Sequence, residues 1–301
     1  MIEGQEGVTW EQWCALADAC EEHGVETLFR SDHYISQSDE DANVAHDAWT
    51  TLAALAARTT TLRLGTLVSP ATFRLPSLLA NAAATVDHIS GGRIELGLGA
   101  GWFEREHDAF GFPFPAMSVR VALFAEQLEI LRLSWSGEPF DFAGEHYELR
   151  GAHPRPVPVG HLHVIVGGAA KPGTVGPAVR FADEYNTAFA TPEEAVRRRA
   201  AVLEACAAAG REPLTFSLMA RCVVGEDRAA AKRRAERIRE VAGDDPFADP
   251  AMAIEGTVDE VVERIREFEQ AGIDRLMLRH LVVEDLEMIE LIGREVLPRV
   301  S

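Results

Sequence analysis

The sequence predicts an α/β fold, a (β/α)8 TIM barrel with insertion segments, and three observations carry that prediction. Helices with an apolar stripe alternate with compact apolar strands along 301 residues, and such alternation implies a parallel sheet. Seven strands are legible, and residues 2–5 supply a shortened eighth. The length leaves room for insertions beyond the roughly 250 residues that an eight-unit barrel needs. Residues 1–301 read as a single domain.

The elements follow in order. TWEQWCALADACEEHG is the first helix, with Thr9 and Gln12 forming a capping box and Gly24 as its stop. VETLFRSDHY is a strand with a polar end. HDAWTTLAALAART and TLRLGTLVS are the next helix and strand. LPSLLANAAATVDHISGG is a helix with Pro76 near its start and a Gly-Gly stop, and RIELGLGAG is a strand ending in glycines. The helix SVRVALFAEQLEILRLSWSG leads into EPFDFAGEHYELRGAHPRPVPVG. That stretch is rich in Pro, Gly and aromatics and reads as a surface excursion with a short hairpin. HLHVIVGG, TVGPAVRFA, YNTAF and TPEEAVRRRAAVLEACAAAG resume the rhythm, with Thr191 capping the last. LTFSLMARCVVG and EDRAAAKRRAERIREVAG precede a second excursion, GDDPFADPAMAIEG. TVDEVVERIREFEQAG, IDRLMLRH and EDLEMIELIGREVLPRV close the chain as helix, strand and helix. Trp10, Trp13 and Trp49 lie on apolar helix faces and are expected in the core.

Charge narrows the function. With 29 basic and 48 acidic residues the net charge is −19. Such a surface repels phosphate backbones and anionic lipids, which argues against nucleic-acid or membrane-surface binding as the main task. A small-molecule partner is expected instead. The N-terminus has no signal-peptide pattern, and no run of about 18 apolar residues spans a membrane. Cys14, Cys20, Cys206 and Cys222 form no C-x-x-C pair and read as buried thiols of a reducing cytoplasm.

In a barrel the active site lies at the C-terminal strand ends, so those positions hold the candidates. They are Glu3, Gln5 and Glu6, then Ser31-Asp32-His33-Tyr34, then Leu67-Val68-Ser69. Gly97, Gly99, Gly101, Trp102 and Glu104 follow, and then Gly167-Gly168-Ala169-Ala170-Lys171. Asp32 beside His33 can place a proton donor or acceptor near a reacting carbon, or Asp32 caps a turn and His33 packs. Gly97-x-Gly99-x-Gly101 lacks the spacing of a dinucleotide fingerprint; its glycines let a planar ligand approach the backbone. The small residues 167–170 with Lys171 open a helix, and free amides there hold a phosphate or merely make a tight turn. His161-x-His163 stands at the wrong end of its strand for barrel metal chemistry, so no metal is expected.

SDHY, RLGTLVSPATFRLPSLLANAAATVDHISGGRIELGLGAGWFEREHDAFGFPFP and VIVGGAA together resemble the bacterial luciferase-like superfamily. Within it they are most similar to the oxidoreductases that use the deazaflavin coenzyme F420. The resemblance covers almost the whole chain and implies the same barrel fold. It implies that His33 lies beside the deazaflavin ring in binding or proton transfer, with Asp32 in support. Leu67-Val68-Ser69 would form a bulge, usually with a non-proline cis peptide, behind the ring. Gly167 to Lys171 would cradle the phosphate, Gly99 and Trp102 would border the cofactor, and Glu6 falls near an acid that assists proton transfer. The implied activity is hydride exchange between the deazaflavin C5 and a small organic substrate. The alternative is an FMN-dependent monooxygenase on the same barrel. A non-catalytic flavin carrier and a metal-dependent hydrolase are the other readings. Trp102 and Phe103 replace the polar pair of the sugar-phosphate dehydrogenase branch. Substrate contacts are expected from the excursions near 36–47, 138–160 and 243–256. The small-residue helices TTLAALAART and LLANAAATV are expected to form a homodimer interface.

Overall fold

The computed structural model describes residues 1–37, 45–242 and 249–300. Most of the expected excursion near 36–47 and the first part of that near 243–256 lie outside the described residues.

Along the chain the parallel wall begins with β1 (Thr27–Arg30), β2 (Arg63–Pro70) and β3 (Ile94–Gly99). β4 (Phe140–Ala143) and β5 (Glu148–Ala152) form the foreseen antiparallel hairpin outside it. β6 (His163–Gly167), β7 (Glu184–Ala188) and β8 (Thr215–Gly225) continue the wall. The upper part of β8, Cys222 to Gly225, pairs with β9 (Ile254–Thr257), a strand that the sequence reading placed in an excursion. Its lower part, Ser217 to Arg221, pairs with β10 (Arg275–Arg279).

Residues 1–3 close the ring. Ile2 bridges Arg30 in parallel, and its amide donates to the Phe29 carbonyl at 3.0 Å. On the other side the Met1 ammonium donates to the Leu278 carbonyl at 2.8 Å, and the His280 amide donates to the Met1 carbonyl at 2.9 Å. The expected eighth strand is thus reduced to a single bridge. Beside it an apolar cavity of about 200 Å³ lies among Leu16, Cys20, Leu28, Met277 and Met288.

Helices cover the wall: α1 (Trp10–Glu22), α2 (Ala48–Arg58), α3 (Pro76–Ser90), α4 (Glu104–Phe110), α5 (Met117–Ser134), α6 (Pro172–Phe181), α7 (Pro192–Ala208), α8 (Arg228–Ala242), α9 (Val258–Gln270), α10 (Leu286–Leu291) and α11 (Leu297–Val300). The Thr9–Gln12 capping box is formed, and Thr191 accepts from the Glu194 amide. Three expectations change. Trp13 and Trp49 are buried, but Trp10 is 38% exposed, because it is the first residue of α1 and sits at the rim. α4 stands where no helix was read, since glycine and aromatic residues hide its short seven-residue pattern. A π-helical turn over 292–296 interrupts the last helix. There Gly293 lets the chain approach the His23 carbonyl, which an added Cβ would meet at 2.2 Å.

Alternation along the strands makes two cores. Outward residues such as Leu28, Leu64, Leu96, Val164 and Phe216 pack under the helices. Inward residues Met1, Phe29, Leu67, Ile165 and Met277 fill the barrel. At the N-terminal strand ends a floor of charges seals it. Arg275 donates to Glu95 at 2.7 Å and to Glu184 at 3.2 Å, Arg63 donates to Glu95 at 2.7 Å, and His163 meets Glu184 at 3.0 Å. Glu95, His163 and Glu184 bring possible metal-ligand atoms within 4.8 Å of one another, a cluster the sequence spacing hid. Two guanidinium groups already neutralise its carboxylates. Among the described residues no helix is long and apolar enough to cross a membrane.

Candidate active site

The opposite end of the barrel gathers the sequence candidates. The β2–β3 register shifts between Thr66 and Ser69, and the Leu67–Val68 peptide is cis without a proline. This is the bulge that the family resemblance implied. An added Cβ at Gly99 would lie 2.8 Å from one Val68 methyl, and one at Gly167 would lie 3.0 Å from the other. At Gly97 an added Cβ would meet the Thr66 carbonyl at 2.2 Å. These glycines therefore make room for the bulge itself. That corrects the reading of Gly99 as direct space for a ligand: the Val68 side chain occupies that space.

Asp32 and Ser69 tie the bulge to the strand end of β1. The Ser69 hydroxyl donates to Asp32 Oδ2 at 2.6 Å, and the Trp49 indole donates to Ser69 at 3.2 Å. Arg74 donates to both Asp32 oxygens, at 2.5 and 3.2 Å, and to Asp47 at 2.8 Å. Asp32 is 1% exposed. A buried carboxylate so bound is a structural anchor, and its hydrogen bonds go to Ser69 and Arg74 instead of to His33.

The partner of His33 is Glu106, on the second residue pair of α4. Its Oε2 accepts from His33 Nδ1 at 2.8 Å, and its Oε1 accepts from the amides of Tyr34 and, at 3.4 Å, Ile35. Glu106 is fully buried. Its grip assigns the ring proton to Nδ1 and leaves Nε2 without a hydrogen bond among the described residues. Burial disfavours the imidazolium, but the Glu106 hydrogen bond and charge, with smaller help from Glu3 and Asp32, hold the His33 pKa above its ordinary value. Glu106 and Arg74 are the two site residues that sequence reading missed. The available signals were an acid in the first turn after the glycine run and a lone arginine inside the apolar TFRLPSLL.

Glu6 accepts from the Ser36 hydroxyl at 2.6 Å and the Gln37 amide at 2.9 Å. Glu3, Asp32 and Glu106 are the carboxylates that act on His33. Glu3 pairs with Arg279 at 2.8 Å. Burial pushes the Glu3 carboxyl up, but Arg279, the Gln5 hydrogen bond and His33 together hold the group below its ordinary value. Trp102 stacks on Phe103 with centroids 5.1 Å apart, and both rings stand edge-on to His33, at 5.8 and 5.9 Å.

At the fifth large strand end, Gly168 donates to the Asn186 carbonyl at 3.0 Å. Gly168 also packs against the Tyr185 hydroxyl, which an added Cβ would meet at 2.6 Å. Ala170, at φ +53°, donates to that hydroxyl at 2.9 Å. Among the described residues the amides of Ala169 and Lys171 have no hydrogen-bond acceptor, and they stand at the N-terminus of α6, where Lys171 is the N-cap. Unpaired amides at a helix start, beside an exposed ammonium, suit an anion.

Comparison with known proteins follows from this geometry. Residues 2–251 match the family described as luciferase-like monooxygenase. An F420-dependent glucose-6-phosphate dehydrogenase of Mycolicibacterium gilvum is 29% identical, over 94% of this chain and 92% of that protein. A monooxygenase from Streptomyces bottropensis shares the fold with TM-score 0.84 and 24% identity, covering 97% of this chain and 94% of that one. The coenzyme F420-dependent tetrahydromethanopterin reductase of Methanopyrus kandleri does so with TM-score 0.81 and 20% identity, covering 100% and 98%. The chain belongs to the luciferase-like monooxygenase family.

Proposed function

We propose that this chain is a coenzyme F420-dependent oxidoreductase that exchanges hydride between the deazaflavin and a small organic substrate. The observation that carries this reading is the conjunction, at one barrel mouth, of the Leu67–Val68 bulge, the His33–Glu106 pair and the open amides of Ala169 and Lys171. The full-length relative favours F420 over FMN.

The residues fit the group. The amides of Ala169 and Lys171 and the Lys171 ammonium would hold its phosphate, with Gly167, Gly168 and Ala170 shaping that turn. Leu67 and Val68 would back the ring, kept in place by Ser69, Asp32 and the small residue Gly99. Trp102 would border the reaction space. When bound, the deazaflavin supplies two-electron hydride chemistry at C5, and the protein supplies orientation and a dry pocket. His33 holds or moves a proton at Nε2. Glu106 fixes the ring and keeps that proton on to higher pH. Glu6 is the second candidate proton carrier.

We also read residues 1–301 as one cytoplasmic domain that dimerises. Leu75 and Leu78, at the start of α3, are 59% and 63% exposed and favour an interface there. The small residues of α2 and α3 mostly serve packing within the chain, since Leu55, Ala56, Ala80, Ala83 and Ala84 are buried.

Equilibrium titration with F420 and with FMN tests the main reading. Saturable F420 binding with little for FMN is the expected result, and tight FMN binding without F420 binding overturns it.

A further inference from the structure

The segment that follows β3 defines what can be bound at the mouth. Trp102 is 59% exposed, yet it is not loose, because it stacks on Phe103 at 5.1 Å with the ring planes 20° apart. Phe103 is held in turn under the Arg105 guanidinium, at 5.2 Å. A flat aromatic surface is therefore fixed edge-on beside His33, and rigid aromatic faces bind planar partners at low entropic cost.

Three arginines at this end of the barrel are already paired with carboxylates. Arg279, the last residue of β10, is paired with Glu3 at 2.8 Å and stands over the Phe189 ring at 5.5 Å. Arg221, its register partner on β8, is paired with Glu255 at 2.6 Å. Arg74 is taken by Asp32 and Asp47. A phosphate taken by Arg279 or Arg74 would have to displace Glu3 or Asp32, leaving a buried acid uncompensated, which is strongly unfavourable. The amides at the start of α6 with Lys171 can serve one phosphate, and the cofactor reading already uses them.

We infer that the substrate side of this mouth, built on the Trp102–Phe103 stack, accepts an uncharged, planar aromatic or conjugated molecule rather than a phosphorylated sugar. This inference rests on the oxidoreductase reading for the chemistry, but its recognition surface belongs to the chain alone.

Calorimetric titration of the full chain, with and without F420, against acetophenone and glucose 6-phosphate tests it. Acetophenone should bind saturably, and glucose 6-phosphate should neither bind beside it nor displace it. Trp102→Ala should weaken acetophenone about 2- to 12-fold, the range expected for one lost aromatic contact, while Trp102→Phe stays within about twofold. Glucose 6-phosphate displacing acetophenone from the wild type, no acetophenone binding, or an unchanged affinity in Trp102→Ala would each overturn the inference. Failure to bind F420 with acetophenone recognition intact would strike only the oxidoreductase reading.

Discussion

The two ends of the barrel use the same residue types to opposite ends. At the floor, Glu95, Glu184, His163, Arg63 and Arg275 bind one another inside the wall, and Glu184 Oε1 is the one buried atom of that cluster without a hydrogen bond among the described residues. At the mouth, Asp32 and Glu106 are fully bound, but the groups they and their neighbours position keep an open atom. Glu106 grips Nδ1 of His33 and leaves Nε2. Tyr185 and Asn186 take the amides of Ala170 and Gly168 and leave those of Ala169 and Lys171. A closed cluster stabilises the fold, whereas a half-closed one is preorganised for a partner. The presence of charge or histidine therefore does not separate a scaffold from a site, but hydrogen-bonding capacity left open at the mouth does.

If that contrast is right, breaking the floor should cost stability and little else. Arg275→Met leaves Glu95 and Glu184 buried without their shared cation, and the loss should be about 3–5 kcal/mol in urea unfolding. Cofactor affinity of the folded fraction should not change. The floor also sets a pH window. Burial raises the Glu95 carboxyl, but Arg275 and Arg63 outweigh it and hold its pKa below the ordinary 4.5. Its contribution is therefore present above 4.5 and lost as pH falls through the lowered value. For His163 burial lowers the pKa, but Glu184 and its neighbours hold it above the ordinary 6.5. That contribution is full below 6.5 and lost as pH rises through the raised value. The floor's own contribution to stability should thus be greatest between about 4.5 and 6.5, with a flatter acid side in Arg275→Met.

The mouth should respond in the opposite way. His33→Ala should lower turnover on the order of 10²–10⁴-fold, with cofactor affinity falling by only about 0.5–1.5 kcal/mol. Equal turnover at saturating cofactor would reduce His33 to scaffold. Glu106→Gln is a subtler cut, because its single amide oxygen can still accept from Nδ1, at the expense of the Tyr34 and Ile35 amides, while the charge that raises His33 is removed. The alkaline limb of the pH–rate profile for substrate reduction should move to lower pH, while KM changes little. A merely structural Glu106 would leave that limb in place. The smallest effect belongs to Lys171→Ala. The backbone amides remain and the ammonium is exposed to solvent screening, so F420 affinity should fall by less than about 1 kcal/mol, with a weaker salt dependence.

Much of this was legible in the sequence because it depends on local rules. The capping box at Thr9 and Gln12, the polar ends of the strands and the small residues 167–170 are patterns of neighbours, and the structure puts all three where those rules place them. What was hidden depends on contacts across the fold. Glu106 meets His33 from 73 residues away, and Glu95, His163 and Glu184 converge only because three strands share a layer. Gly99 carried a genuine signal of close approach, but only the bulge shows that the approaching group is Val68. β9 was missed because it extends the upper half of a strand that already had a partner, and pairing of that kind leaves no period in the sequence.

The most direct test of the central claim is a crystal structure of the chain with F420. The account predicts the deazaflavin ring against Leu67–Val68, its phosphate on the amides of Ala169 and Lys171, and His33 Nε2 facing the reaction space. A phosphate bound elsewhere, or a ring seated away from the bulge, would contradict it.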